Sequence, residues 1–205
     1  MRQIEKILGD MCKEFLNLVG KSYTELLSLF LCDISEDDDY YDVIACNIAI
    51  NFPGRLEMLL DDLSGQRLRG AICGLGLAEI RGSADRIKTY LTHGDERIVN
   101  VAIVALSRVG VPGDWSLIKP SLNHSSPYVR GAALRFARAM LGLGAKPILV
   151  DALKDKSGAV RWIALDELDG LATNELAGVV EQLLSDPDSE VRDAAESLLA
   201  SIRSI

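Results

Sequence analysis

The two histidines of the chain, His93 and His124, are 31 residues apart, and Asp155 and Asp186 continue the same spacing. Imidazole and carboxylate groups are ligands of zinc and iron, but a metal site needs several of them to converge on one point. A constant spacing instead suggests one equivalent residue in each unit of a repeat. We therefore predict no metal site, and we interpret the column as part of a turn that closes a helix, where histidine favours the negative end of the helix dipole.

A second regular column consists of arginines. We interpret it as structural, with each guanidinium pairing with neighbouring acids and carbonyl groups, because a repeating residue usually serves the repeating unit. Its members are Arg69, Arg130, Arg161 and Arg192.

Residue types that carry out catalysis give no stronger signal. Cys46 and Cys73 fall on predicted core positions, and Cys12 and Cys32 lie in apolar stretches, so all four are expected to be buried and unreactive. The sequence contains no Gly-rich phosphate loop, G-x-S-x-G motif or H-E-x-x-H motif. We therefore predict that the protein is not an enzyme, with no catalytic residues and no cofactor.

Composition restricts the class of partner. The 205 residues include 30 Asp and Glu against 22 Lys and Arg, which gives a net charge of −8. This balance opposes binding to nucleic acid, because lysine and arginine are needed to displace counterions from phosphate. It favours a basic protein as partner. Widely spaced cysteines, a charged N-terminal stretch and the lack of an apolar run of about 20 residues predict a cytoplasmic protein that does not enter a membrane.

The elements that position these columns are predicted by an internal repeat. Four segments align without gaps at intervals of 31 residues, and in each of them apolar residues recur at offsets of 0, 4, 8 and 11. This spacing forms one stripe along a helix with 3.6 residues per turn. The first two positions of the stripe hold Ile98, Val129, Val160 and Val191, followed by Ala102, Ala133, Ala164 and Ala195.

Each of these helices follows a preferred N-cap residue and is preceded by a second apolar helix in the same register. Side-chain oxygens at an N-cap accept hydrogen bonds from free N–H groups at the helix start. The predicted caps are Asp95, Ser126, Ser157 and Asp188, and the first column of the preceding helices is Ile87, Ile118, Leu149 and Val180. The repeating unit is therefore a helical hairpin.

Fainter copies precede the regular ones, beginning at Tyr41 and Leu68. Two further apolar helices, at Ile4–Val19 and Tyr23–Leu31, are expected to cover the N-terminal end. We predict an all-α, right-handed α-solenoid of about five to six helical hairpins, forming a single domain over residues 1–205. Residues 1–40 are its capping helices, residues 41–82 are degenerate repeats and residues 83–205 are regular repeats.

The tandem hairpin with a (D/S)-x-x-V-R-x-x-A core resembles the HEAT repeat, and in particular the short HEAT-like repeats of phycobilisome lyases. The resemblance implies the fold and leaves a wide range of functions, including lyase subunits, hydroxylases, immunity proteins and scaffolds. Hydroxylases with HEAT repeats carry His-Glu pairs just after the valine column. This chain has Val-Arg at those positions, so the resemblance does not supply a metal site.

Partner-specific residues are expected where an exposed column changes from repeat to repeat. Trp162 stands in a column that otherwise holds Asn100, Gly131 and Asp193, and tryptophan is enriched at binding hot spots. Arg135 and Arg138 are followed 31 residues later by Asp166 and Asp169, which predicts ion pairs between repeats. We predict a protein-binding surface centred on these residues, namely Trp162, Asp166, Asp169, Arg135 and Arg138.

A second predicted contact is the acidic stretch SEDDDYYD at residues 35–42. Asp38 lies three residues before Tyr41, which predicts that it caps the helix that follows. Its neighbours Glu36, Asp37, Asp39 and Tyr40 exceed what one cap requires, and Asp42 adds a further acid. We predict that Glu36, Asp37, Asp39 and Tyr40 contact a basic partner.

These features favour a non-enzymatic protein-binding module whose partner is another protein, of basic character. Acidic HEAT proteins of this size are similar to immunity proteins, and that resemblance implies binding and occlusion of a basic, nuclease-type toxin domain. Two alternatives stay open: a subunit similar to a bilin lyase, and a generic assembly scaffold. The sequence leaves the oligomeric state open.

Overall fold

A computed structural model of the protein describes residues 18–32, 38–110, 114–171 and 173–203. For residues 38 and 39 it describes the backbone alone. The chain divides into two compact units, Met1–Val111 and Pro112–Ile205, which are described separately. All regular secondary structure in the described ranges is helical. The prediction of a single domain, with its three parts, stays a prediction.

The first unit contains five α-helices, α1 to α5, within the residues described. Helix α1 begins with a capping box: the Ser22 hydroxyl accepts from the Glu25 N–H, and the Glu25 carboxylate accepts from the Ser22 N–H. This confirms the predicted helix at Tyr23–Leu31, whereas Ile4–Val19 lies outside the described residues except for its last two, which form a turn. The helices are Tyr23–Leu31, Asp38–Asn51, Gly65–Leu77, Ala84–Lys88 and Glu96–Val109, with 3-10 turns at Glu57–Leu59, Arg81–Ser83 and Thr89–Thr92.

Helix α3 packs very closely between α2 and α5, because glycines face both neighbours. A Cβ atom placed on Gly74 would lie 2.5 Å from the Cβ of Ala45 and 2.6 Å from the backbone nitrogen of Cys46. On the other side, a Cβ atom on Gly76 would lie 2.7 Å from the Cα of Ala105. Real Cβ atoms do not approach neighbours so closely, so the distance between these helices depends on glycine.

The second unit contains six α-helices, α6 to α11, in the described residues. Its longer helices begin at residues 127, 158 and 189, and α5 begins at residue 96, so the predicted 31-residue interval is kept at every step. The helices are Trp115–Ile118, Pro127–Leu141, Lys146–Ala152, Gly158–Leu168, Ala177–Gln182 and Ser189–Arg203, with 3-10 turns at Lys119–Asn123, Gly142–Ala145, Asn174–Leu176 and Leu183–Ser185.

The predicted apolar columns form the core of the hairpins. The alanine column and the first column of the preceding helices have no exposed surface; their members are Ala102, Ala133, Ala164, Ala195, Ile87, Ile118, Leu149 and Val180. The predicted fold class, an all-α solenoid of stacked helical hairpins, is confirmed. Its right-handedness stays a prediction.

Two details of the predicted hairpins are wrong. The first helix of each regular hairpin is short and adjoins 3-10 turns. Helix α9 ends at Leu168, so Leu171 lies beyond the helix although it is buried. The chain leaves the helix there because Asp169 is extended and Gly170 has a φ of 71°, a conformation that glycine adopts readily.

All four predicted N-cap residues lie directly before their helices, but only two of them accept the expected capping hydrogen bond. The carboxylates of Asp95 and Asp188 accept hydrogen bonds from the N–H groups of Arg97 and Glu190. Ser126 and Ser157 occupy the same position, but their hydroxyls make no capping hydrogen bond. In all four turns the residue two positions before the cap accepts from the cap's own N–H: these are His93, His124, Asp155 and Asp186.

The cysteines of the described ranges differ in exposure. Cys46 is buried, as predicted, whereas Cys73 is only partly buried. Burial raises the pKa of the Cys46 thiol to about 12 and also raises that of Cys73, which favours the protonated thiol at neutral pH. The prediction that Cys32 is buried is wrong, because it lies exposed at the end of α1. Cys12 lies outside the described residues.

Across the described ranges, the helices are too short or too polar to cross a membrane. A cytoplasmic location stays a prediction.

Candidate protein-binding groove

Helices α9 and α11 place their exposed faces side by side and form a groove between them. On α9 the lining positions are spaced three or four residues apart, and the same holds along α11, so each helix contributes one face. The groove has a volume of about 760 Å³ and is lined by Trp162, Leu165, Asp166, Asp169, Glu190, Asp193, Ala194, Ser197, Leu198 and Ser201.

The floor of this groove, which we call the acidic groove, is apolar. Leu165 and Leu198 are buried members of the core of the second unit, and the partly buried Trp162 packs against that core. Trp162 is therefore held from below while part of its surface faces the groove. Such a fixed, partly exposed aromatic ring is typical of a hot-spot residue.

Both walls of the acidic groove carry carboxylates. Asp166 and Asp169 come from α9 and its end, Glu190 and Asp193 come from α11, and all four are exposed. Among the described residues that line the groove, none is lysine or arginine. A cleft lined by one sign of charge concentrates its field and attracts cations.

A hydrogen bond joins the two walls at one end. The Asp169 carboxylate accepts from the Ser201 hydroxyl at 3.3 Å, and it also accepts from the N–H of Gly170 at 3.0 Å. The early end of α9 thus turns Asp169 toward α11.

The structure brings three of the predicted binding residues together in the acidic groove: Trp162, Asp166 and Asp169. The sequence interpretation missed Glu190, Asp193, Ser197 and Ser201. The repeat register held the signal, because Asp193 follows Trp162 by 31 residues and Ser197 follows Asp166 by the same interval.

The predicted ion pairs of Arg135 and Arg138 with Asp166 and Asp169 are wrong. The Nε atom of Arg135 lies 3.7 Å from an Oε atom of Glu167, and Asp169 has the partners given above. Neither arginine is among the residues that line the acidic groove. Among the described residues, the carboxylates of Asp166 and Asp169 therefore form no ion pair with these arginines, which lie near Glu167.

Burial raises the pKa of Glu167, and the charge of Asp166 adds to this effect, while Arg135 and Arg138 act against it. A carboxyl group with a raised pKa in the folded state destabilises the fold when it is ionised. As pH falls from neutral through this raised pKa toward the ordinary value of 4.5, protonation removes that destabilisation.

We therefore expect Glu167→Gln to be more stable than the native chain at pH 7 and to unfold at a higher urea concentration. The gain in the free energy of unfolding should be less than about 1 kcal/mol, because the site is near the surface. The difference should shrink as pH falls toward 4.5, because the native Glu167 then becomes neutral as well. Urea unfolding at a series of pH values measures it, with Glu175→Gln, at an exposed site, as the control. A difference that grows on acidification would contradict the assignment.

The second predicted contact, the acidic stretch, is described only in part. Glu36 and Asp37 lie outside the described residues, as does the side chain of Asp39. The ring of Tyr40 is partly buried and lies edge-on to that of Tyr41, with centroids 5.8 Å apart. That these residues bind a partner stays a prediction.

The other two acids of this stretch, Asp38 and Asp42, belong to helix α2. Helix α2 begins at Asp38, so Asp38 is its first residue and the prediction that it is the N-cap is wrong by one position. Asp42, which was counted among the surplus acids, is buried and its carboxylate accepts from Arg69 at 3.0 Å. Asp42 is therefore part of the packing between α2 and α3.

Arg130 and Arg161 of the arginine column are structural, as predicted. In the second unit, Arg130 donates from Nε and Nη2 to the two carboxylate oxygens of Asp155, at 2.8 and 2.7 Å. Arg161 binds Asp186 in the same way, at 2.8 and 2.6 Å. The Nη1 atom donates to two backbone carbonyls of the preceding turn in Arg130 and to one in Arg161. Each pair therefore joins one hairpin to the next.

These carboxylates have a second role within their own turn. Burial acts to raise the pKa of Asp155, but hydrogen bonds from Arg130 and from the Ser157 N–H outweigh burial and lower it. The hydrogen bond from Arg161 is the main cause of the lowered pKa of Asp186. The column of His93, His124, Asp155 and Asp186 therefore serves the turns, and in the part of the chain that is described no group of three or more such side chains could hold a metal ion.

Together, the stacked hairpins and the open groove on their second helices define a helical-repeat protein. A sequence model of HEAT repeats matches residues 115–200. Residues 115–200 are thus similar to HEAT repeats, and the predicted resemblance is confirmed over that range; the phycobilisome-lyase subtype stays a prediction.

One solved structure supports this fold. An engineered protein from the Northeast Structural Genomics Consortium is 18% identical, with a TM-score of 0.53, and the match covers 88% of this chain and 96% of that chain. A designed armadillo repeat protein is 16% identical, with a TM-score of 0.48, covering 88% of this chain and 100% of that one. At 18% identity the likeness to the engineered protein concerns the fold alone. No curated protein matches the sequence.

Proposed function

We propose that the protein is a non-enzymatic binding module that holds a basic segment of another protein in the acidic groove. The observation that carries the proposal is the combination of four exposed carboxylates on the walls with Trp162 on the floor. The HEAT-like repeat scaffold supports a protein-binding role.

The chemistry of the groove favours lysine or arginine side chains. Their charged ends can pair with Asp166 or Asp193 at the walls, while their aliphatic stems cover the apolar floor. A guanidinium or ammonium group above Trp162 gains a further cation–π attraction. Because both walls are negative and solvent-exposed, steering of the partner and its affinity should weaken as salt is raised.

The most specific form of the proposal is that of an immunity protein, which binds a basic toxin domain of the nuclease type and occludes its cleft. The carboxylates of the acidic groove would then occupy the positions of substrate phosphates. The net charge of −8 supports this form, and we place the interaction in the cytoplasm.

The test uses a fluorescent peptide of alternating arginine and alanine, titrated with the full chain and followed by anisotropy, with a glutamate–alanine peptide as the negative probe. We expect saturable binding of the basic peptide that weakens between 50 and 200 mM salt. Trp162→Ala should weaken binding about tenfold or more, which corresponds to about 1.4 kcal/mol for a hot-spot residue. The double variant Asp166→Asn/Asp193→Asn should weaken it to a similar extent.

The matched control is Asp62→Asn/Glu175→Gln, which removes the same net charge at two exposed sites that do not line the groove. It should leave affinity nearly unchanged. If the control variant weakens binding as much as the groove variants do, the peptide senses net charge alone and the groove proposal is wrong.

The immunity form has its own test. Cells that express a toxin encoded beside this protein should survive when the native chain is co-expressed, and should not survive with Trp162→Ala at equal protein level. Lack of protection by the native chain, together with peptide binding, would exclude the immunity function and leave the binding module.

A further inference from the structure

Arg192 continues the arginine column into the last hairpin of the described residues. Its Nη1 atom donates to the carbonyl oxygens of Asp186 at 2.6 Å and Pro187 at 3.1 Å. These are the same kinds of acceptor that fix Nη1 of Arg130 and Arg161. The guanidinium group of Arg192 is therefore held in the orientation that the two preceding arginines have.

The edge of the Arg192 guanidinium group formed by Nε and Nη2 differs from the same edge in Arg130 and Arg161. In Arg130 and Arg161 the Nε and Nη2 atoms together bind one aspartate, whereas for Arg192 these atoms have no acceptor within the part of the chain that the structure describes. Two parallel N–H donors in this geometry match a carboxylate, which they bind in bidentate fashion. Arg192 thus presents a carboxylate-binding edge that is already oriented.

Side chains of the same hairpin as Arg192 are also more exposed than the equivalent side chains of the hairpin before it. Leu184 is 42% exposed, whereas Leu153, which holds the same position one hairpin earlier, is 3% exposed. Glu196 is exposed where Leu134 and Leu165 are buried in the earlier hairpins. By the repeat interval, Leu184, Arg192 and Glu196 correspond to Leu122, Arg130 and Leu134, which line one pocket 62 residues earlier. A glutamate in place of the buried leucine makes this surface suited to a polar contact.

We propose that Arg192 and Leu184 form a docking site for an acidic segment of a protein partner, in which a side-chain carboxylate binds Nε and Nη2 of Arg192 and an apolar neighbour covers Leu184. The site is separate from the acidic groove, which Arg192 does not line. The ligand of this site is an anion, whereas the ligand proposed for the acidic groove is a cation. A carboxylate would bind Arg192 as Asp155 binds Arg130 and as Asp186 binds Arg161.

The experiment observes the Nε–Hε signals of the arginines in the full chain labelled with ¹⁵N-arginine. The probe is N-acetyl-aspartate N-methylamide, and its neutral match is N-acetyl-asparagine N-methylamide. Arg192→Lys identifies the Arg192 signal, and the exposed Arg81 serves as the reference for nonspecific effects. Arg130 and Arg161, whose edges are occupied, should respond little.

We expect the Arg192 signal to shift saturably at millimolar aspartate probe, at least threefold more than that of Arg81, and to be nearly unaffected by the asparagine probe. A shift no larger than that of Arg81, or an equal response to both probes, would overturn the proposal. Because the basic peptide reports on Trp162 and the aspartate probe on Arg192, failure at one site is distinguishable from failure at the other.

Discussion

Asp186→Ala is expected to lower the free energy of unfolding by about 3–5 kcal/mol, the range for removing one partner of a buried ion pair. The side chains of Arg161 and Asp186 are 12% and 5% exposed, so the variant leaves Nε and Nη2 of Arg161 largely desolvated and without their acceptor. It also removes the acceptor for the Asp188 N–H at the start of α11. One substitution thus breaks a turn and a contact between hairpins.

Urea or thermal unfolding measures the loss, with Glu175→Ala as the exposed control that should change stability by less than about 0.5 kcal/mol. Asp186→Asn separates the two roles, because its amide oxygen can still accept from the Asp188 N–H but cannot accept both arginine donors. It should fall between the alanine variant and the native chain. A loss below about 1 kcal/mol for Asp186→Ala would show that the pair contributes little.

Gly74→Ala is expected to lower the free energy of unfolding by about 3 kcal/mol, although alanine is a better helix former than glycine by about 1 kcal/mol. The added Cβ would approach the backbone of Ala45 and Cys46 to 2.6 Å, and backbone cannot move aside as a flexible side chain can. Helices α2 and α3 would have to separate, which places the cost at the upper end of the range for overpacked cores.

The control is Gly178→Ala, at a helical glycine of α10 with nothing within 4 Å of the new Cβ. It should leave stability unchanged or raise it by up to about 1 kcal/mol, because the helix propensity is then the main effect. Chemical unfolding of both variants provides the comparison. Equal effects of the two substitutions would argue against close packing at Gly74.

Much of the fold was predictable because the repeat forces equivalent residues into equivalent positions. The alanine column is buried throughout, and the regular long helices keep their 31-residue interval. What failed depended on local geometry that a column does not encode. The hydroxyls of Ser126 and Ser157 make no capping hydrogen bond whereas the carboxylates of Asp95 and Asp188 do, although all four residues occupy the same position in the repeat.

The candidate site was predicted in part for the same reason. The register indicated that Trp162, Asp166 and Asp169 share a helix face, but not which residues of the following helix complete the groove. Arg135 contacts Glu167 rather than Asp166, because partners across neighbouring helices depend on how the helices rotate and on where α9 ends. The sequence pattern carries no information on that rotation.

The pairs Arg130–Asp155 and Arg161–Asp186 each take the arginine from one repeat and the acid from the next. The 31-residue repeat that contains Asp155 and Arg161 therefore contributes one partner to each of two ion pairs. Its acid binds the arginine of the repeat before it, and its arginine binds the acid of the repeat after it. Duplication or deletion of the block that carries Asp155 and Arg161 leaves every remaining partner of these pairs with a counterpart. The solenoid can thus change length by unequal recombination without redesign of its contacts, whereas a block of any other length would separate an arginine from its acid.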